Sequence, residues 1–408
     1  MKGYTQNKEP VTLAYCYEKA VGTYPLLSDK ESLKNASDLR VKNLETNYLP
    51  QFSLSGQVTY QSDVTQISLP PQMGITVPGS PKDQYKVTID AQQTLFDGGI
   101  TSKQKKLEQA SSAAEIQQIE SDLLRIKEQV NSIYFTILLL QENKKLLRNV
   151  LDVITEREKS IQSMVKNGVL LLSDQNALIA ERLKTEQQIA EIEISQSSTL
   201  RILNLITNET FTDSTIFYKP EIVISDTALS GRPEYKTFEL QEKRFDAAIS
   251  LSQSSLMPKL YAFGQYGYGR PGLNMLHNEF DNFYMAGATL KWTFWDWNKT
   301  RREKQVYAIQ KQMIASKRDN FTKNLNMDMQ NKLATIYKME EATKRDSDIV
   351  TLRAGITLIA QSQLNNGVIT STDYLNELNA ETQARINMET HKIQLTQAKA
   401  NYLVALGK

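Results

Sequence analysis

Residues 167–174 read Asn167-Gly168-Val169-Leu170-Leu171-Leu172-Ser173-Asp174, and residues 366–373 read Asn366-Gly367-Val368-Ile369-Thr370-Ser371-Thr372-Asp373. The second stretch repeats the first 199 residues later: Asn-Gly-Val, an apolar or β-branched linker, a hydroxyl residue and an aspartate. A glycine turn closes a helix, and a hydroxyl residue or aspartate opens one. Each stretch therefore marks a place where one helix stops and another returns. Further out, Phe96-Asp97 recurs as Trp295-Asp296 at the same offset of 199, whereas Pro25 and Pro50 recur as Pro233 and Pro258 at an offset of 208. The offset changes once, by 9, between Tyr60/Tyr268 and Tyr85/Tyr284, so one loop is longer in the first copy. One architecture is written twice, and this repetition governs every local motif.

Helices too long for an ordinary globular domain precede both turns. From 116 to 165 the positions Ile116, Ile119, Leu123, Ile126, Val130, Ile133, Ile137, Leu140, Lys144, Leu147, Leu151, Ile154, Glu158, Ile161 and Val165 alternate by three and four. All but Lys144 and Glu158 are Ile, Leu or Val, the seam of a coiled coil. Carried back to Ile100, the pattern predicts a helix over 100–165, about 100 Å long. Its counterpart over 300–364 has a looser seam: Leu325, Met329, Ile336, Met339, Ile349, Leu352, Ile356 and Ile359. The expected tips are 166–173 and 365–372, and the returning helices 174–207 and 373–406. A return of that size spans about 50 Å, half the long helix. The segments between Pro25 and Pro50 and over 232–256 have the length to stack on it and complete the pairing.

Between these helices the period changes to two. Phe52, Leu54, Gly56, Val58 and Tyr60 alternate with polar residues, as do Tyr85, Val87, Ile89 and Ala91. Leu260, Ala262, Gly264, Tyr266 and Tyr268 repeat the pattern, followed by Tyr284, Ala286, Ala288, Leu290, Trp292 and Phe294. Strands are expected at about 51–61, 84–96, 259–269 and 282–295. One such strand is what any half-buried sheet shows. Four of them, with the three tryptophans Trp292, Trp295 and Trp297 gathered at a strand end, resemble a membrane β-barrel with an interfacial aromatic belt. Four strands cannot close a barrel, and an open edge is not tolerated in lipid. The chain must oligomerise if it spans, and three copies supply twelve strands.

Composition narrows the function classes. Lys and Arg number 48 against 46 Asp and Glu, so no strongly basic face is implied and nucleic acid is a poor partner. The single cysteine, Cys16, cannot form an internal disulfide and sits at helical spacing among Val11, Leu13, Ala20 and Val21, as a buried residue would. His277 and His391 are far apart, and no Cys, His or carboxylate cluster has the spacing of a metal site. No cofactor and no enzyme activity are expected. Asp97-Gly98-Gly99 lacks the lysine and glycine spacing of a phosphate loop and reads as a capped strand-to-helix turn. No apolar run reaches the ~18 residues of a spanning helix.

Over about residues 11–406 the chain resembles the TolC family of bacterial outer-membrane efflux and secretion channels. The residues carrying the resemblance are Leu13, Cys16, Ala20, Val21, Tyr24 and Pro25; Tyr48-Leu49-Pro50 and Leu256-Met257-Pro258; Leu95-Phe96-Asp97-Gly98-Gly99 and Phe294-Trp295-Asp296-Trp297; and the Asn-Gly-Val turns with Asp174 and Asp373. The resemblance implies a mainly α fold with a membrane β-barrel. A homotrimer would close a twelve-stranded barrel among outer-membrane lipids, continued by a long coiled-coil α-helical barrel in the periplasm. It implies an exit duct of a tripartite efflux or type I secretion system, fed by a periplasmic adaptor (membrane fusion protein) and an inner-membrane RND, ABC or MFS transporter. The organisation expected is an N-terminal tail over 1–10, a first repeat over 11–207, a linker over 208–231 and a second repeat over 232–408. Two departures stand out. Val368-Ile369-Thr370-Ser371 holds no arginine for the family's gate, and Asp373 is followed by Asn376 where many members carry a second aspartate. The alternative is a periplasmic coiled-coil adaptor or helical scaffold, which would purify without detergent.

Three sets of site residues follow. Asp174 and Asp373 are candidates for a pore constriction that sets selectivity, with helix capping as the plainer role. Gly168, Val169, Leu170, Gly367, Val368 and Ile369 are candidates for adaptor-docking tips, with inward packing at a closed gate as the alternative. Trp292, Trp295 and Trp297 form the candidate aromatic belt.

Overall fold

A computed structural model describes residues 10–66, 79–224 and 231–408. The tail expected over 1–10 lies outside the described residues except for Pro10, as do 67–78 of the longer loop and 225–230 of the linker. In chain order the elements are α1 (Leu13–Gly22), α2 (Leu26–Glu45), β1 (Gln51–Tyr60), β2 (Asp83–Phe96), α3 (Ile100–Lys166), α4 (Leu172–Thr207), α5 (Pro233–Ser254), β3 (Lys259–Arg270), β4 (Asp281–Lys291), α6 (Lys299–Asn365) and α7 (Ser371–Ala405). A 3-10 turn, Thr46–Tyr48, links α2 to β1. The fold is mainly helical with one small antiparallel sheet.

The chain divides into two compact units. One is made of Met1–Lys30, Gln117–Lys236 and Arg318–Lys408, and among its described residues the regular elements are helices, with a short bridge between Val11 and Phe217. Its cores are built from the heptad seam: Ile126, Val130 and Ile137 of α3 pack with Leu13 and Cys16 of α1 and Leu200 and Leu203 of α4. Nearer the tips, Ile154 and Ile161 pack with Leu178, Leu364, Tyr374 and Leu378. A third core joins Leu325, Met329 and Ile336 of α6 to Tyr402 and Leu406. Burial raises the Cys16 thiol to about 12, so it stays protonated at neutral pH.

The seam of α6 departs from expectation in its C-terminal half. Leu325, Met329, Ile336 and Met339 are buried, but Ile349, Leu352, Ile356 and Ile359 are exposed. The face turned inward there carries Val350, Thr357, Ala360 and Leu364. The helix has two stripes in this stretch, and the chain's own core takes the one with smaller residues.

The other unit, Glu31–Ile116 with Thr237–Lys317, holds the sheet in the order β1-β2-β3-β4, every pair antiparallel. Register places Leu54 opposite Ile89, Ile89 opposite Tyr266, and Tyr266 opposite Tyr284. Because side chains alternate across a strand, the even-numbered residues of β1, β3 and β4 share one face with the odd-numbered residues of β2. That face is mainly apolar, and Phe52, Leu54, Val58, Tyr60, Val87, Ile89, Tyr266, Tyr284 and Leu290 all stand exposed on it. The opposite face bears Thr88 and Asp90, where Gln265 Nε2 donates to Asp90 Oδ1 at 2.5 Å and Thr88 Oγ1 donates to Asp90 Oδ2 at 2.9 Å. It also holds Phe283, whose ring fills the space a side chain at Gly267 would need.

β4 stops at Lys291, short of the strand expected to reach 295. Lys291 pairs with Lys259, the first residue of β3, and Pro258 before it has no N–H to continue the ladder. Trp292 and Phe294 are therefore outside the sheet. Among the described residues no helix is long and apolar enough to cross a membrane.

Candidate functional site

Both tips are built by the same backbone device. α3 ends with the Gly168 N–H donating to Val165 O at 3.0 Å and the Val169 N–H to Met164 O at 2.9 Å. α6 ends with the Gly367 N–H donating to Leu364 O at 3.0 Å and the Val368 N–H to Gln363 O at 2.9 Å. This is the paired closure of a helix by a left-handed residue, and Gly168 and Gly367 have φ of 73° and 69°. A Cβ at either glycine would meet nothing within 4 Å, so the backbone angle, not crowding within the chain, selects glycine there.

The linkers split by position. Leu170 and Ile369 turn inward onto the core of Ile161, Leu178 and Tyr374, while Val169, Leu171, Leu172 and Val368 stay exposed, Leu171 at 71%. The tip residues thus divide between inward packing and an outward apolar surface. Arg157 of α3 braces the junction: its Nη1 donates to Asn365 Oδ1 at 3.2 Å, and its guanidinium lies 5.9 Å from the centre of the Tyr374 ring. Nothing in the seam pattern marks Arg157; it sits beside the run of apolar positions, not in it.

Asp174 and Asp373 both lie one turn into their helices, since α4 begins at Leu172 and α7 at Ser371. The reading that they open the helices gives way to a capping box. Thr370 Oγ1 accepts from the Asp373 N–H at 3.2 Å, while Asp373 Oδ2 accepts from the Thr370 N–H at 3.0 Å and from its hydroxyl at 2.7 Å. Those bonds, the hydroxyl's first, hold the Asp373 carboxyl below the usual carboxylate range. A depressed native value means that the cap is fully present above an unfolded pKa of ~3.9 and is lost as pH falls through the lower native one. Leu171 has no side-chain acceptor, so α4 keeps half of the box: Asp174 Oδ2 accepts from the Leu171 N–H at 3.2 Å.

The two aspartates then diverge. Asp174 is 8% exposed, and its Oδ1 accepts from the Ser371 N–H at 2.9 Å, so the first repeat caps the returning helix of the second. Asp373 is exposed and has no such second bond among the described residues. The sequence, with both residues at the same place in the repeat, gave no sign of this difference.

In the sheet-bearing unit, Trp292, Trp295 and Trp297 are exposed in the turn after β4. The Trp292 indole N–H donates to Leu256 O at 3.0 Å, and Trp295 and Trp297 meet edge to face with centroids 5.8 Å apart. The turn repeats the one after β2. There Gly98 and Gly99 take φ of 71° and 83°, and Asp97 accepts from the Gly99 and Thr101 N–H groups at 2.8 and 2.6 Å. The bland reading of Asp97 as a cap holds. In the second copy the equivalent positions are Trp297 and Asn298, at φ of 56° and 60°. A bulky residue in the left-handed region is strained, and here it carries an exposed indole.

No group of three or more His, Cys, Asp or Glu residues that could hold a metal occurs among the described residues. The model of the outer membrane efflux protein family matches residues 24–208 and again residues 224–408. The crystal structure of the Campylobacter jejuni CmeC outer membrane channel aligns over 97% of this chain and 85% of that one, with 15% identity and a TM-score of 0.70. The outer membrane protein VceC from Vibrio cholerae aligns over 97% and 96%, with 13% identity and a TM-score of 0.69. The open state of the Neisseria gonorrhoeae MtrE outer membrane channel aligns over 97% and 88%, with 15% identity and a TM-score of 0.69. At such identities the likeness is one of fold. Comparison with curated protein sequences gives no match. The doubled family match covers most of the chain, and the chain belongs to the outer membrane efflux protein family.

Proposed function

We propose that this member of the outer membrane efflux protein family is the exit duct of a tripartite efflux or type I secretion system. In this reading three copies form one passive channel, with the strands in the outer membrane and the helices in the periplasm. The observation that carries it is the four-stranded sheet: one face is mainly apolar with most of its large side chains exposed, and among the described residues both edge strands, β1 and β4, lack a partner on one side. In hydrocarbon each unpaired backbone group costs several kcal/mol, so lipid exposure of that face requires the edges to be closed by further copies. The expected particle in detergent has three times the 46.4 kDa chain mass plus the micelle. Mass measurement by light scattering tests it, and a stably inserted monomer would refute it.

The exposed Val169, Leu171, Leu172 and Val368 support the tips as the docking surface for a periplasmic adaptor, which hands on cargo from an RND, ABC or MFS transporter. Trp292, Trp295 and Trp297 serve as the interfacial belt. Selectivity is assigned to the tip aspartates, with the larger share to Asp373, whose carboxylate is ionised and exposed where that of Asp174 is enclosed. A ring of carboxylates in a narrow pore favours cations and binds divalent ions. Single-channel recording is expected to show Asp373→Asn lowering cation preference and divalent block more than Asp174→Asn does. If both variants keep wild-type selectivity and block, the aspartates are caps alone.

A further inference from the structure

The turn after β4 and the start of α6 carry groups for which the chain itself has no use. Lys299, Arg301, Arg302 and Lys304 follow closely on Trp297; all four are exposed, and among the described residues none of them makes an ion pair. The two nearby carboxylates are engaged elsewhere. Asp296 Oδ2 accepts from the Thr300 N–H and hydroxyl at 2.8 and 2.6 Å, and Glu303 Oε2 accepts from the Ser252 hydroxyl at 2.6 Å. Cations at the start of a helix oppose its macrodipole, and the first turn of α6 has no acidic residue to offset them. They are not there for the helix. Trp297 is also held at a disadvantage, because it takes the left-handed position that the first repeat gives to Gly98, and its indole is left 77% exposed.

Two contrasts within the same unit locate the feature. The turn after β2 holds Phe96 but no tryptophan, and Lys105 beyond it is paired with Glu45 at 3.0 Å. The far end of the sheet has the opposite sign: Asp63, Asp83, Glu279 and Asp281 stand there against Lys82 and Arg270, and Arg270 is bound to Asp83.

We propose that the turn of Trp292, Trp295 and Trp297, together with Lys299, Arg301, Arg302 and Lys304, is a binding surface for anionic phospholipid. The indoles sit at headgroup level, and the cations take the phosphates. The inference rests on the proposed channel, with strands in the membrane and helices in the periplasm, and adds to it the leaflet and the class of lipid. The lengths agree. From Lys299 to Lys304 a helix rises about 7.5 Å, and the polar layer on each side of the hydrocarbon is roughly 5–8 Å thick. Arginine suits phosphate because its planar fork can bind two oxygens at once. A zwitterionic headgroup brings an ammonium that offsets its phosphate, so net negative charge is what four cations select. Each Lys or Arg beside an anionic surface is worth about fivefold in binding.

The chain has three tryptophans, all in this turn, so intrinsic fluorescence reports on it alone. The full chain is reconstituted in phosphatidylcholine bilayers containing phosphatidylglycerol or phosphatidylethanolamine with brominated acyl chains, which quench the indoles they touch. Brominated phosphatidylglycerol is expected to bind several-fold more tightly than brominated phosphatidylethanolamine at low salt. The preference should shrink towards parity at about 1 M salt, where the screening length is only ~3 Å. Inorganic phosphate at matched ionic strength should not compete; competition would mean a free-anion site and overturn the lipid assignment. Arg301→Gln with Arg302→Gln should bring the preference close to parity. Lys317→Gln with Lys323→Gln removes the same charge from exposed positions about 20 Å or more further along α6 and should leave it unchanged. Equal quenching by the two lipids in the wild type overturns the proposal and leaves the channel reading standing, as does a preference that both double variants lower alike. Loss of trimeric mass in the arginine variant with its lipid preference intact also overturns it, by assigning the cations to contact between copies. A wild-type chain that stays monomeric and does not enter bilayers overturns the channel reading itself.

Discussion

Replacing Gly168 or Gly367 by tryptophan is expected to abolish export while leaving the protein inserted and trimeric. Each glycine sits in the left-handed region, where an L side chain costs roughly 1–2 kcal/mol, a local strain against helix pairs buried over many turns. A Cβ there meets nothing within 4 Å, so an indole can be carried on the outside of the tip, where its bulk acts on what approaches. Gly168→Asn and Gly367→Asn separate the two effects, since asparagine tolerates left-handed backbone. Export retained in the asparagine variants and lost in the tryptophan variants assigns the tips to docking, and crosslinking from Ser173→Cys and Thr372→Cys to the adaptor should fall in parallel. Normal export by both tryptophan variants would mean that the apolar tip residues serve the gate instead.

The second large effect is expected on the sheet. Leu54 lies midway along β1 on the exposed apolar face, beside Ile89 of β2. Leu54→Arg should cost about 2–4 kcal/mol at the bilayer midplane, repeated in every copy, and should remove the protein from the outer-membrane fraction. Its neighbour Ser55 points to the opposite face, and Ser55→Arg should insert normally. Equal insertion of the two variants, by heat-modifiability on gels and membrane fractionation, would show that the apolar face does not meet lipid.

These contrasts mark what could be read from the chain alone. The long helices were legible because Ile, Leu and Val recur by three and four without glycine or proline, and a pattern that long has few other solutions. The strands were legible in period but not in extent: β4 ends at Lys291 because its partner begins after Pro258, a fact held by another strand. The second half of the α6 seam was misread for a related reason. Ile349, Leu352, Ile356 and Ile359 are the more apolar stripe, yet the chain's core takes the stripe of Val350, Ala360 and Leu364, and periodicity cannot say which neighbour a stripe will meet. At the tips, the glycines were fixed by backbone geometry and were readable. The unequal fates of Asp174 and Asp373 depend on contact between residues about 200 apart in sequence, to which local pattern is blind.

The divergence of the two tips has an evolutionary side. In a ring of six identical short chains, any substitution at a tip would appear six times, and a partner could adapt only to a uniform rim. Two repeats in one chain let the same hairpin vary independently, as Leu170-Leu171-Leu172 in one and Ile369-Thr370-Ser371 in the other. One hairpin can then change its exposed surface without the other changing with it.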